Sequence, residues 1–76
     1  RIALSDLAEG LTATIAAVGE DEKSFLDHLN GKGLQIGDAV TLKKREPFDG
    51  SVTLGHKSKK EILLTHQVAE RIWVEV

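Results

Sequence analysis

The sequence predicts a small, mainly β domain: a barrel of five short strands, closed or partly open, with one short helix and one helical turn. Three observations carry that expectation. The chain has 76 residues, enough for one domain with a limited core, because a chain of this size buries only about 60% of its unfolded surface. Short runs of alternating apolar and polar residues recur every 8–12 residues or so, separated by turns rich in glycine, proline and aspartate. A sheet of such short strands would expose both edges to pairing with other chains, and closure removes them.

Leu4-Ser-Asp-Leu7 opens the chain, its leucines three apart as one helical turn places them, and Ala8-Glu-Gly10 turns out of it. From Leu11 to Val18 the pattern is strand-like, with Leu11, Ala13, Ile15 and Ala17 on one face and Thr12 and Thr14 on the other. After the polar loop Gly19 to Lys23, Ser24 and Asp27 resemble a capping box, and Phe25, Leu26 and Leu29 have helical spacing up to Asn30-Gly31. Asp38 to Arg45 alternates again, Val40 and Leu42 inward, Thr41 and Lys43 outward. Glu46-Pro-Phe-Asp-Gly50 reverses the chain, since Pro47 has no N–H for a ladder and Asp-Gly is a turn pair. Val52 and Leu54 mark the next strand, Gly55 to Ser58 a second turn, and Ile62 and Leu64 a further strand. Thr65 caps a helical turn over His66 to Glu70 that buries Val68 and Ala69. The last strand turns Ile72, Val74 and Val76 to the core and leaves Trp73 and Glu75 outside.

Composition excludes several functions. Without cysteine there are no disulfides, thiolate zinc sites or thiol catalysis, which fits a reducing cytoplasm. A net charge of −2 gives no basic field for nucleic acid. No apolar run reaches the roughly 18 residues a membrane span requires. No activated nucleophile or carboxylate pair in an apolar setting is visible, so no catalytic residue is expected. Residue 1 is Arg, which suggests a domain cut from a longer protein.

Five features invite a functional reading. The glycines of Leu29-Asn-Gly-Lys-Gly-Leu-Gln-Ile-Gly-Asp38 suggest a phosphate cradle, but they follow a helix and precede a strand, the reverse of the order such a cradle needs. They are expected to cap the helix, with Leu34 and Ile36 in the core. His28, His56 and His66 match no metal-ligand spacing and are expected on the surface. The acidic loop Glu20-Asp21-Glu22 offers hard oxygen donors for a divalent cation. Lys43-Lys44-Arg45 and the lysines from Lys57 to Lys60 form basic edges without the aromatics that stack on bases. Trp73, outward on the terminal strand, is the residue expected to contact a partner protein.

The motifs Leu4-x-x-Leu7-x-x-Gly10, Leu29-x-x-x-Gly33-Leu34-x-x-Gly37 and Leu64-Thr65-x-x-x-Ala69-x-x-Ile72-x-Val74, in this order, resemble the FeoA domain from Leu4 to Val74. The resemblance implies a five-stranded SH3-like barrel. It also implies one of two settings: the C-terminal domain of DtxR/MntR-type metal-dependent repressors, which "REPFDGSVTL" and the final segment resemble more, or a free-standing accessory of the ferrous-iron transporter FeoB. In the first setting the parent is a DNA-binding homodimer using Fe2+ or Mn2+. This domain then docks on other domains of its own chain, without direct nucleic-acid contact, membrane insertion or a cofactor of its own. Some members lend an ancillary metal site two polar residues just past the first strand. The matching positions are Ala17 and Glu20, and alanine cannot ligate, which leaves Glu20 as the candidate metal ligand.

Overall fold

The computed structural model describes residues 1–19, 23–56 and 59–76. Strands β1 (Ile2–Ala3), β2 (Thr12–Val18), β3 (Ala39–Arg45), β4 (Val52–His56), β5 (Lys59–Leu64) and β6 (Ile72–Glu75) form one antiparallel sheet in the order β1-β6-β2-β3-β4-β5. A 3-10 turn at Leu4–Asp6 follows β1, helix α1 (Lys23–Gly31) links β2 to β3, and helix α2 (His66–Ala69) links β5 to β6. This architecture is consistent with an SH3-like fold, with two corrections to the expected barrel. The sheet has six strands rather than five, and it is open, with β1 and β5 at its edges. The extra strand pairs Ile2 with Val74 and Ala3 with Trp73. Two residues hold no alternation to read, so only the partner strand reveals it.

Alternation places the core as expected at its centre. Ala13, Ile15, Val40, Leu42, Val52, Leu54, Ile62, Leu64, Ile72 and Val74 are all buried in one cluster, together with Leu4 and Leu7 from the lead-in. No polar or charged residue is buried among the described residues.

Where the pattern departs from expectation, bulges are the cause. On β2 the register passes from Ile15↔Val74 to Ala17↔Trp73, so Ala16 is an extra residue. An inserted residue exchanges the two faces beyond it. Ala17 therefore joins the outer face, and Val18, opposite Ile72, packs on the core. On β3 the register passes from Leu42↔Leu54 to Lys44↔Thr53 and Arg45↔Val52. That turns half-buried Arg45 toward the lead-in, where its guanidinium donates to the Leu7 carbonyl and its backbone N–H to Glu9 Oε2 at 2.7 Å. The Gly10 N–H donates to the Leu42 carbonyl at 2.7 Å, so the lead-in is tied to β3 on both sides of the bulge. Leu11 and Val76, expected inward, are exposed because each lies outside its strand.

Helix α1 begins at Lys23, which puts Ser24 inside its first turn rather than at the cap. Its other end is as expected and more specific. The Leu34 N–H donates to the Leu29 carbonyl at 2.9 Å and the Gly33 N–H to the Asn30 carbonyl at 3.0 Å, with Gly33 at φ +87. Those two bonds make a Schellman motif, and buried Leu29 and Leu34 are its apolar contact. The next turn closes from the Asp38 N–H to the Gln35 carbonyl at 3.1 Å, with Gly37 at φ +99 in its third position, as a type II turn requires. Ile36, at the second position of that turn, is 55% exposed instead of entering the core. Thr65 caps α2 as expected, its side chain accepting from the Val68 N–H at 3.3 Å.

Candidate functional site

The outer face of β1, β6 and β2 carries Trp73. Its register neighbours are Ala3 on one side and Ala17 on the other, both small. A Cβ at Gly19 would lie 3.3 Å from Trp73 Nε1. The indole therefore lies beside three small residues and keeps 36% of its surface exposed. Ala3 is buried although it stands outside the core cluster, as expected for a residue beside an indole on the outer face. The bulge at Ala16 makes this arrangement, because it is what brings Ala17 alongside Trp73. Arg1 and Glu75 form an exposed ion pair at the end of the face, 3.7 Å apart, with little energetic weight in water.

The three histidines lie on separate elements. His28 is exposed on α1, and His66 at the start of α2 faces Glu70 at 3.6 Å. His56 departs from expectation: at the end of β4 its side chain is only 12% exposed, with Nε2 3.0 Å from Asp38 Oδ2. The same carboxylate oxygen accepts the Gln35 N–H at 3.0 Å. Asp38 thus joins the type II turn to β4, eighteen residues away in sequence, and no local pattern announces such a contact. Replacing Asp38 with alanine should cost about 1 kcal/mol by removing both bonds from a partly exposed site. Urea unfolding measures it, and an unchanged midpoint would show that the carboxylate does not hold the turn.

Among the described residues no group of three or more His, Asp or Glu side chains converges as a metal site. Glu20, Asp21 and Glu22 lie outside the described residues. Ala17 is half-buried beside Trp73 and has no donor atom, so a two-ligand ancillary site at positions 17 and 20 does not fit this chain. Of the basic stretches, the side chains of Lys57 to Lys60 lie outside the described residues, and those of Lys43 and Arg45 turn apart. Lys43 crosses β4 over Gly55 to meet Glu61 on β5 at 3.6 Å, and Arg45 turns back to Leu7. No helix among the described residues is long and apolar enough to cross a membrane.

The β3–β4 turn carries a feature that sequence reading treated only as a reversal. Phe48 is 95% exposed at its tip. The turn is held by the Glu46 N–H to the Ser51 carbonyl at 2.7 Å and the Gly50 N–H to the Glu46 carbonyl at 2.8 Å. The Ser51 N–H, 2.9 Å from Asp49 Oδ1, lowers that carboxyl below the usual aspartate range.

An open antiparallel sheet of this order, with a Schellman-capped helix between β2 and β3 and an outward tryptophan on its last strand, is consistent with a small SH3-like module. The chain belongs to the FeoA domain family, whose sequence model matches residues 2–76. Among solved structures it superposes on the metal-dependent transcriptional regulator MtsR with a TM-score of 0.87 at 19% identity, covering 99% of this chain and 36% of that one. ScaR with bound Zn2+ gives 0.86 at 27% identity, with the same 99% and 36% coverage. An iron uptake regulatory protein, FeoA, gives 0.84 at 15% identity, over 97% of this chain and 95% of that one. This chain thus spans about a third of the two regulators and nearly all of the third protein. Comparison with curated protein sequences gives no significant match.

Proposed function

We propose that this chain is the C-terminal regulatory domain of an iron- or manganese-dependent transcriptional repressor, acting in the cytoplasm by docking on other domains of its own chain. The observation that carries this reading is the likeness to ScaR, 27% identical over 99% of this chain and confined to 36% of that protein. Trp73 is the contact residue in this reading, since it stands between the small residues Ala3 and Ala17 and leaves 36% of its surface exposed. DNA reading and the primary metal belong to the rest of the parent. A second reading, a free-standing accessory of a ferrous-iron transporter, is favoured by the 95% coverage of the FeoA protein.

Titration of the chain alone with Mn2+ or Fe2+ should show no micromolar binding by calorimetry. Binding at that strength, lost in Glu20→Ala, would overturn the assignment of the metal to the rest of the parent. The two readings part on the coding sequence before Arg1. A winged helix and dimerisation helix there, whose protein product shifts Trp73 emission when added to this chain with Mn2+, supports the repressor. A start codon close by supports the transporter accessory.

A further inference from the structure

Of the chain's three arginines, two have an oxygen partner in the fold. Arg1 pairs with Glu75, and Arg45 donates to the Leu7 carbonyl. The Arg71 side chain has no carboxylate or carbonyl partner among the described residues, and its guanidinium carbon lies 6.0 Å from the centre of the Phe25 ring instead. A guanidinium over a ring is held by the ring's face and keeps the N–H donors in its own plane available. The Arg71 backbone is fixed on both sides: its N–H donates to the Val68 carbonyl at 3.1 Å, and its carbonyl accepts the Gly19 N–H at 2.6 Å. The unengaged fork is thus presented from a rigid base.

Arg71 opens onto a cleft of about 330 Å³ between α1 and α2, a size found among small-ligand sites. Buried Phe25 and Val68, which packs on the core, give the cleft an apolar floor. Ser24 and His28, four apart on α1, line one side, and Gln67 and Arg71, four apart across the end of α2, line the other. All four are exposed, and each carries a donor: a hydroxyl, an imidazole, an amide and a guanidinium. No carboxylate lines the cleft, although the chain as a whole carries a net charge of −2. Glu70, the neighbour of Arg71, is turned to His66 at 3.6 Å.

Donors on two facing walls suit an acceptor whose oxygens point in several directions. A tetrahedral phosphate is such a group, whereas a carboxylate offers two oxygens in one plane. We propose that this cleft binds a small phosphomonoester, with Arg71 on the phosphate, Ser24, His28 and Gln67 donating around it, and the organic group against the apolar floor.

The test titrates the 76-residue chain with phenyl phosphate, inorganic phosphate and benzoate at fixed ionic strength, so that screening stays constant, and follows amide and arginine side-chain NMR signals. Phenyl phosphate should saturate with a Kd near or below about 1 mM, moving the amides over 24–28 and 67–71 and the Arg71 Nε–H. Inorganic phosphate should move the same signals more weakly, because it has nothing to place on the floor. Benzoate, which has the ring without the phosphate, should not saturate. Arg71→Gln changes an exposed residue and should weaken phenyl phosphate by about tenfold or more, the loss of a charge-assisted fork. Arg71→Lys, which keeps the charge and loses the fork, should fall between, and Gln67→Ala should lose a smaller factor. Lys44→Gln removes a positive charge outside the cleft and should leave the affinity unchanged. Shifts that never saturate, or that survive Arg71→Gln, would overturn the proposal. So would benzoate binding as tightly as phenyl phosphate, or equal affinity for inorganic phosphate, which would assign the cleft to the free anion.

Discussion

Leu54→Ala should lower the stability of this domain by about 3 kcal/mol, within the range measured for buried leucine truncations. Leu54 is 0% exposed and stands between Leu42 on β3 and Ile62 on β5 in direct register. Both neighbours are themselves held by ladder hydrogen bonds, so neither strand can close on the space left behind. The loss therefore includes a cavity as well as the transfer of a side chain out of water. A chain of 76 residues has about 4–11 kcal/mol of stability in total. The variant should then melt at least about 12 °C below wild type, because each kcal/mol moves the midpoint of so small a domain by about 4–8 °C. Leu63→Ala is the internal control. Leu63 is the next residue along β5 from Ile62 and is 62% exposed, and its removal should change stability by no more than about 0.5 kcal/mol. Equal melting of Leu54→Ala and wild type by circular dichroism would show that the strand centre is not the core described above.

The same alternation explains what sequence made legible. Val40 and Leu42, Val52 and Leu54, Ile62 and Leu64, Ile72 and Val74 each occupy the inward positions of their strands, and strict period two in an amphipathic strand leaves little freedom to misread. Reading fails where the period is broken by pairing rather than by composition. The bulges at Ala16 and Lys43 depend on what lies opposite, and Ile2–Ala3 becomes a strand only because β6 is beside it. Ile36 looks like a core residue until the positive φ of Gly37 makes it the corner of a turn. The candidate site divides in the same way. Trp73 was placed outward by alternation, but its small neighbours Ala3 and Ala17 come from two other strands. The Asp38–His56 contact joins a turn to a strand end, and a contact between distant polar residues leaves no periodic trace. Phe48 is legible in sequence as part of a reversal but its full exposure is not, since a turn motif says where the chain reverses and not how far a ring projects.

Gly33→Ala and Gly31→Ala should have effects of opposite sign, although the two glycines are separated by one residue. Gly31 is the last residue of α1 and does not have a positive φ; a Cβ there meets nothing within 4 Å. Alanine at that position removes backbone freedom from the unfolded chain and favours the helix, a gain of about 0.4–1 kcal/mol. Gly33 has φ +87, a conformation in which a Cβ crowds the following carbonyl at a cost of about 1–2 kcal/mol. Relief of that strain would require the backbone to leave the left-handed region, and the two bonds that end the helix would go with it: Gly33 N–H to Asn30 and Leu34 N–H to Leu29. Leu29 and Leu34 are both buried, so the loss would also loosen the apolar contact that directs the chain from α1 into the turn before β3. The pair of variants separates two explanations of a glycine-rich segment. Were the segment a flexible cradle for an anion, both alanines would stiffen it alike and change stability in the same direction. If it is a helix stop, chemical denaturation should show Gly31→Ala above wild type and Gly33→Ala below it, with a gap between the two variants of about 2 kcal/mol.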